Sequence, residues 1–235
     1  MSVRYERKAQ MSVFIIIGLV VMMIFFFLIY IVNVFFGFGD VPPPADEIKF
    51  MAQQCIKSSA EKGLLILGSQ GGYISLSKPY FGSEFSNITY NSYLPTKESI
   101  AFELEEYINN HVVECMHNFT KSRHVKIDDP KSKVRFSTNN LIITVNHFLT
   151  ICTNNTEEMI DTIQTDAVRV RFPAIYDMVS NLEDDRINMD TLAVPGFNTS
   201  VFSYPAQNTT VYVITDLESA IMTQKYKFMT ATSSS

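Results

Sequence analysis

Residues 11–38 read MSVFIIIGLVVMMIFFFLIYIVNVFFGF, without one charged side chain, and from Val13 to Val32 the run is almost wholly Ile, Val, Leu, Met and Phe. As a helix rising about 1.5 Å per residue, that run reaches across the ~30 Å hydrocarbon layer of a bilayer. A segment apolar on every side has no face to turn to water, so a transmembrane helix over residues 11–38 is expected. The reading divides the chain into a basic tip (1–10), the span, a Gly/Pro spacer (39–44) and an outer domain (45–235).

The flanks set a direction. Arg4, Arg7 and Lys8 against Glu6 make the tip +2, which leaves −7 of the chain's formal −5 for everything after it. Positive charge before the span, with Asp40, Asp46 and Glu47 beyond it, places the N-terminus in the cytoplasm and the C-terminal domain outside a cell membrane, single-pass. A cleaved secretory signal would be shorter and end in a small-x-small site. Here Gly37, Gly39 and the stiff Pro42-Pro43-Pro44 follow instead. The lipid bilayer is thus the first expected partner, and an acidic outer domain argues against nucleic acid, which needs clustered Lys and Arg.

Beyond the prolines, Asp46 and Glu47 suit a helix N-terminus, and Ile48, Ala52, Cys55, Ser59, Lys62 and Ile66 recur at helical spacing. A helix over about 45–67 is expected to stop at Gly68, with Gly71-Gly72 releasing the chain into a short strand, Tyr73-Ile74-Ser75-Leu76. The Gly-rich group follows a helix and lacks a Gly-Lys-Ser/Thr ending, so it reads as a stop and not as a phosphate cradle. Residues 78–94 read as an exposed loop. Thr96 then caps a second helix whose stripe is Ile100, Leu104, Tyr107, Ile108, Val112, Cys115, Met116 and Phe119, with Glu103, Glu105, Glu106 and Asn109 on a solvated side.

From His124 the period becomes two. Val125 and Ile127, Val134 and Phe136, then Leu141, Ile143, Val145, Leu149 and Ile151 alternate with polar neighbours, and a run from Met159 to Phe172 follows a turn at Asn154-Asn155. Adjacent antiparallel strands are expected. Pro173 opens a short helix carrying Ile175, Val179 and Leu182 inward. Residues 186–200 read as loop, and strands are expected at 211–215 and 226–230, with 201–204 a weaker one. The fold class is therefore α+β: an N-terminal transmembrane helix, then an extracytoplasmic domain with two main helices packed on an antiparallel sheet.

An outer domain meets oxidising conditions, and Cys55 and Cys115 lie on the apolar stripes of two helices that pack together, so a Cys55–Cys115 disulfide is expected. Cys152, off the apolar face of its strand, is left over. Five N-x-S/T acceptors, Asn87, Asn118, Asn154, Asn198 and Asn208, mark glycosylation sites on an exported surface. His111, Glu114, Cys115 and His117 crowd one helix end, but the histidines are six positions apart, which turns them to different faces, so no metal and no cofactor is expected. Asp184, Asp185 and Asp190 lack the spacing of a calcium loop. No G-x-S-x-G, His-Glu-x-x-His or Walker pattern occurs, and the domain reads as non-catalytic.

Two resemblances add a setting. Arg7-Lys8-Ala9-Gln10-Met11-Ser12 resembles the class III signal peptide of archaeal type IV pilin-like proteins through its basic pair, Gln10 and Ser12. Ala9 stands where Gly is usual, and Phe14 where pilins carry Glu. The resemblance implies a processing junction at Ala9, Gln10 and Met11, and a filament or other homo-oligomer. The wider layout is similar to uncharacterised single-span surface proteins of small-genome archaea. It is carried by the anchor start from Gln10 to Gly18, Cys55 followed by Gly71-Gly72-Tyr73, Pro95-Thr96-Lys97-Glu98, Cys115 with Asn118-Phe119, and Val211-Tyr212-Val213-Ile214-Thr215-Asp216. It implies a surface location, facing a partner protein or glycan, and supplies no catalytic residues. The sequence thus points to an anchored surface protein with a structural or cell-contact role. A pilin-like filament subunit is the first alternative and an envelope ectoenzyme the second.

Overall fold

The computed structural model describes residues 16–28, 45–83, 86–117, 125–152, 157–165, 168–183 and 194–233. The chain divides into two units, Met1–Pro42 and Pro43–Ser235. In the first, residues 16–28 form helix α1, whose every residue is exposed. The flanks that would complete the expected span, 11–15 and 29–38, lie outside the described residues. Among those that are described, no helix is both long and apolar enough to cross a membrane.

The second unit is α+β with antiparallel sheets. Helix α2, Ala45–Ser69, starts with Asp46 and Glu47 in its first turn and buries Ile48, Ala52, Cys55, Ile56, Ala60, Leu64 and Leu67. It does not stop at Gly68. Gly71 takes the left-handed conformation (φ +73°) while the Gly72 N–H donates to the Leu67 carbonyl at 2.9 Å, so the helix ends in a Schellman turn three residues later. Gly68 instead permits a close crossing: a Cβ there would lie 2.2 Å from the Lys227 carbonyl oxygen.

The expected strand at 73–76 is irregular chain, because the Ile74 and Ser75 N–H groups both donate to the Glu103 carboxylate (2.6 and 3.4 Å) and so are turned away from any ladder. The expected loop at 78–94 contains a hairpin, β1 (Tyr80–Gly82) and β2 (Asn87–Thr89), which buries Phe81 and Ile88.

Helix α3, Lys97–His117, begins where Thr96 predicts, with the Ser99 N–H donating to the Thr96 Oγ1 at 3.2 Å. It buries Ile100, Leu104, Ile108, Val112 and Met116. Cys115 bonds to Cys55, across a Cα–Cα distance of 5.8 Å, and this ties α3 to α2. Closing a loop of 60 residues contributes about 4 kcal/mol in the chain-entropy account.

Strand β5, Asn140–Cys152, is the axis of the larger sheet. It pairs antiparallel with β3 (Val125–Ile127) and β4 (Lys131–Phe136), and with β6 (Glu157–Gln164) and β7 (Val168–Arg169). Leu141, Ile143 and Val145 are buried at every second position. A bulge between Asn146 and Leu149 then ends the alternation, and Phe148, Leu149, Thr150 and Ile151 are all buried. The acidic side of α3 is not wholly solvated: Glu105 accepts the Val134 N–H at 2.8 Å and Asn109 the Ser132 N–H at 2.9 Å, so these side chains cover the edge of β4.

Helix α4, Phe172–Ser180, has Pro173 in its first turn and buries Phe172, Ile175, Met178 and Val179. Strands β8 (Phe197–Tyr204), β9 (Thr209–Ile221) and β10 (Gln224–Ser233) form a second sheet in the order β10-β9-β8. Residues 197–200, expected as loop, belong to β8. One face of this sheet, with Ile214, Tyr226 and Phe228, enters the main core beside α2, α3 and β5.

Candidate functional site

The other face of the β8-β9-β10 sheet is only partly covered. Antiparallel pairing aligns Ser200 with Val213 and Met229, and Phe202 with Val211 and Ala231, so these side chains share the face opposite Ile214 and Phe228. Burial on both sides explains the unbroken apolar run Val211-Tyr212-Val213-Ile214 in β9. The β1-β2 hairpin covers only part of the face, packing Phe81 and Ile88 against Val211 and Ala231. Beside it runs a groove of about 300 Å³, floored by Ile88, Phe202, Val211, Val213 and Met229 and edged by hydroxyl groups and Lys227. Phe202 keeps half of its surface exposed. Among the described residues, no carboxylate, histidine or cysteine lines the groove. An apolar floor with a thin polar rim suits a bound extended apolar segment better than proton transfer.

A second constellation holds the sheet in place. Strand β9 carries a bulge where Lys225 pairs with Ala220 but Tyr226 with Asp216, which leaves Leu217, Glu218 and Ser219 outside the ladder. Asp216, wholly buried at this bulge, accepts from Arg171 Nε at 3.0 Å, from Arg171 Nη2, from the Ser219 hydroxyl and from the Glu218 N–H at 3.0 Å. Arg171 also donates to the Gly196 carbonyl at 2.7 Å, pairs with Glu218 at 3.1 Å and stacks over the Phe197 ring. The residue before α4 is thereby tied to β9 and to the start of β8. Burial alone would raise the Asp216 carboxyl, but the hydrogen bonds from Arg171, Ser219 and the Glu218 N–H, with the Arg171 charge, hold it below the ordinary aspartate value. These partners make the cluster a clamp between the start of α4, β8 and β9.

The sequence-derived sites fall in three places. Cys55 and Cys115 are joined, and Cys152, half-buried at the end of β5, lies outside the bridge. Asn87 on β2, Asn198 on β8 and Asn208 at the β8-β9 turn are exposed, as attachment requires, and all three belong to the elements around the groove. Asn118, Asn154 and the junction at Ala9, Gln10 and Met11 lie outside the described residues, as do Asp184, Asp185 and Asp190. His111 donates its Nδ1–H within its own helix, to the Tyr107 carbonyl at 2.8 Å, with its ring stacked on Tyr107. Among the described residues no three metal-ligating side chains gather.

The groove and the Arg171-Asp216 clamp are absent from the sequence reading. The one signal for the groove was the weak strand at 201–204, whose aromatic residues alternate with serine. The clamp joins residues 45 apart, and only its outline shows in Arg171 following Val170 before a helix. Comparison of the chain with protein-family models, with curated proteins and with solved structures returns no match.

Proposed function

We propose that the chain is a membrane-anchored surface protein, with residues 11–38 as the anchor and residues 45–235 as a non-catalytic extracytoplasmic domain for structure or contact. The observation that carries this reading is α1: thirteen consecutive described residues, apolar on all sides and all exposed, from Val20 at 47% to Met23 at 67%. Such a helix needs an apolar surrounding on every face, and lipid supplies one. The Cys55–Cys115 disulfide fits an oxidising compartment. Exposure of Asn87, Asn198 and Asn208 fits a glycan-bearing surface. The groove, with its apolar floor, fits contact with another chain more readily than turnover of a small polar substrate.

Labelling intact cells with a membrane-impermeant amine reagent tests the arrangement. Exposed lysines of the outer unit such as Lys133 and Lys225 should be modified before lysis, whereas Lys8 should react only afterwards. Labelling of Lys8 from outside, or protection of Lys133 and Lys225, would remove the proposal. The motif at Arg7 to Ser12 favours the pilin-like alternative at one bond only. Intact mass of the native chain decides it, since a start at Gln10 or Met11 marks a processed filament subunit and a start at Met1 a retained anchor.

A further inference from the structure

The groove on the β8-β9-β10 sheet changes character along its length. Register places Lys227 beside Thr215 at one end and Met229 beside Val213 in the middle. At the other end Ala231 lies beside Val211, where Phe81 and Ile88 of the β1-β2 hairpin close the face. From Lys227 to Ala231 the strand rises about 14 Å. Lys227 is the one charged side chain among the described residues that line the groove, and none of the ion pairs of the described residues takes it up. The neighbouring stretch 194–215 carries no charge, although the chain as a whole is acidic. A cation at the end of an apolar trough calls for an anion that carries an apolar body.

We propose that the groove binds a single-chain anionic amphiphile, a carboxylate on a hydrocarbon tail of roughly ten carbons. The head lies at Lys227 and the Thr215 hydroxyl, and the tail runs over Val213 and Met229 to the hairpin. A peptide suits this floor poorly. The backbone groups of the three strands are taken up in the β10-β9 and β9-β8 ladders, so the face has only side chains to offer. A peptide laid along it would bring about four residues, each with an N–H and a C=O left against apolar side chains. A hydrocarbon tail brings none. At about 300 Å³ the groove also has the size of a small-ligand site. Asn198 pairs with Thr215 from the side away from Lys227 and is not part of the lining, so a glycan there stands beside the head and leaves the floor open.

This goes beyond reading the groove as a contact surface, and it stands whether or not residues 11–38 span a bilayer. The test uses the full-length chain in nanodiscs of neutral lipid, a dodecanoate carrying a diazirine at its tail end, and peptide mapping after illumination. Label should fall on peptides holding Ile88, Phe202 or Val211, at the hairpin end of the groove. Unmodified dodecanoate should displace the probe about ten times more effectively than dodecanol, which has the tail without the charge. Lys227→Gln should make the two competitors equal, while Lys133→Gln, on the other sheet, should keep the native preference. Phe202→Glu, at a half-exposed residue, should abolish labelling of the groove; circular dichroism and an intact Cys55–Cys115 bridge show that each variant has folded. Equal competition by dodecanol in the native chain, or an unchanged preference in Lys227→Gln, would overturn the proposal. A short acidic, apolar peptide that displaces the probe better than dodecanoate would give the groove to a polypeptide and overturn it too. Label confined to residues 11–38 would overturn it while leaving the anchor standing.

Discussion

Helices α1 and α3 are both rich in apolar residues, and they meet opposite surroundings. α3 interrupts its apolar residues with Glu98, Glu103, Glu106 and Asn110, buries Ile100, Leu104, Ile108, Val112 and Met116, and leaves Phe102 58% exposed on the far side. α1 has no polar residue in its described length and no buried one either. The difference is one of pattern more than of amount. A helix is held on a core by the period of its polar residues, which tells it which side to hide. A helix without that period has no side to choose and calls for an apolar environment all around, which is the physical argument for lipid.

Substitutions can break this comparison. Removing the bridge that ties α3 to α2, with Cys55→Ser and Cys115→Ser together, should cost about 4 kcal/mol, read as a lowered denaturant midpoint of the outer unit. Reduction of the native protein should have the same effect. Leu104→Ala, in the core stripe of α3, should cost roughly 2–5 kcal/mol, while Leu19→Ala in α1 should leave that midpoint unchanged. An equal loss at both positions would mean that α1 also packs into the core. Ile24→Arg reverses the asymmetry. It should cost about 2.5–3.5 kcal/mol in membrane insertion and nothing in the stability of the outer unit, measured by fractionation and by denaturant midpoint respectively.

A smaller effect comes from pH. Because the Asp216 carboxyl is held below its ordinary value when folded, its contribution to stability is full above the unfolded value of about 3.9 and is lost as pH falls through the lower, folded value. Acid unfolding of the native chain should therefore steepen below the ordinary aspartate range, and Asp216→Asn should flatten it. Thr96→Ala, which removes the hydroxyl that accepts the Ser99 N–H at the start of α3, should cost about 1 kcal/mol, seen as a small fall in melting temperature.

How far the sequence foretells these features depends on how local they are. The stripe of α3 and the alternation in β5 are periodic over several turns or residue pairs, so they read directly, and the Cys55–Cys115 pairing follows once both stripes are recognised. The β1-β2 hairpin has three residues in each strand, too few for a period, and Phe81 and Ile88 pack it on the sheet. Tyr73 to Leu76 has the composition of a strand, yet Glu103, from a helix some thirty residues away, takes two of its N–H groups. Helix α2 runs two residues past its expected end because Gly68 and Gly71 look alike in sequence; one serves a close crossing against β10 and the other a left-handed turn. In β8 the polar Asn198, Thr199 and Ser200 hide a strand that sheet pairing creates, and the groove exists only once three strands and a hairpin are assembled.

The account rests on residues 11–38 holding the chain in a bilayer, and alkaline carbonate extraction of membranes from cells making the full-length protein tests that most directly. The protein should stay with the membrane pellet and be released only by detergent. Recovery of the intact chain in the carbonate supernatant would contradict the account.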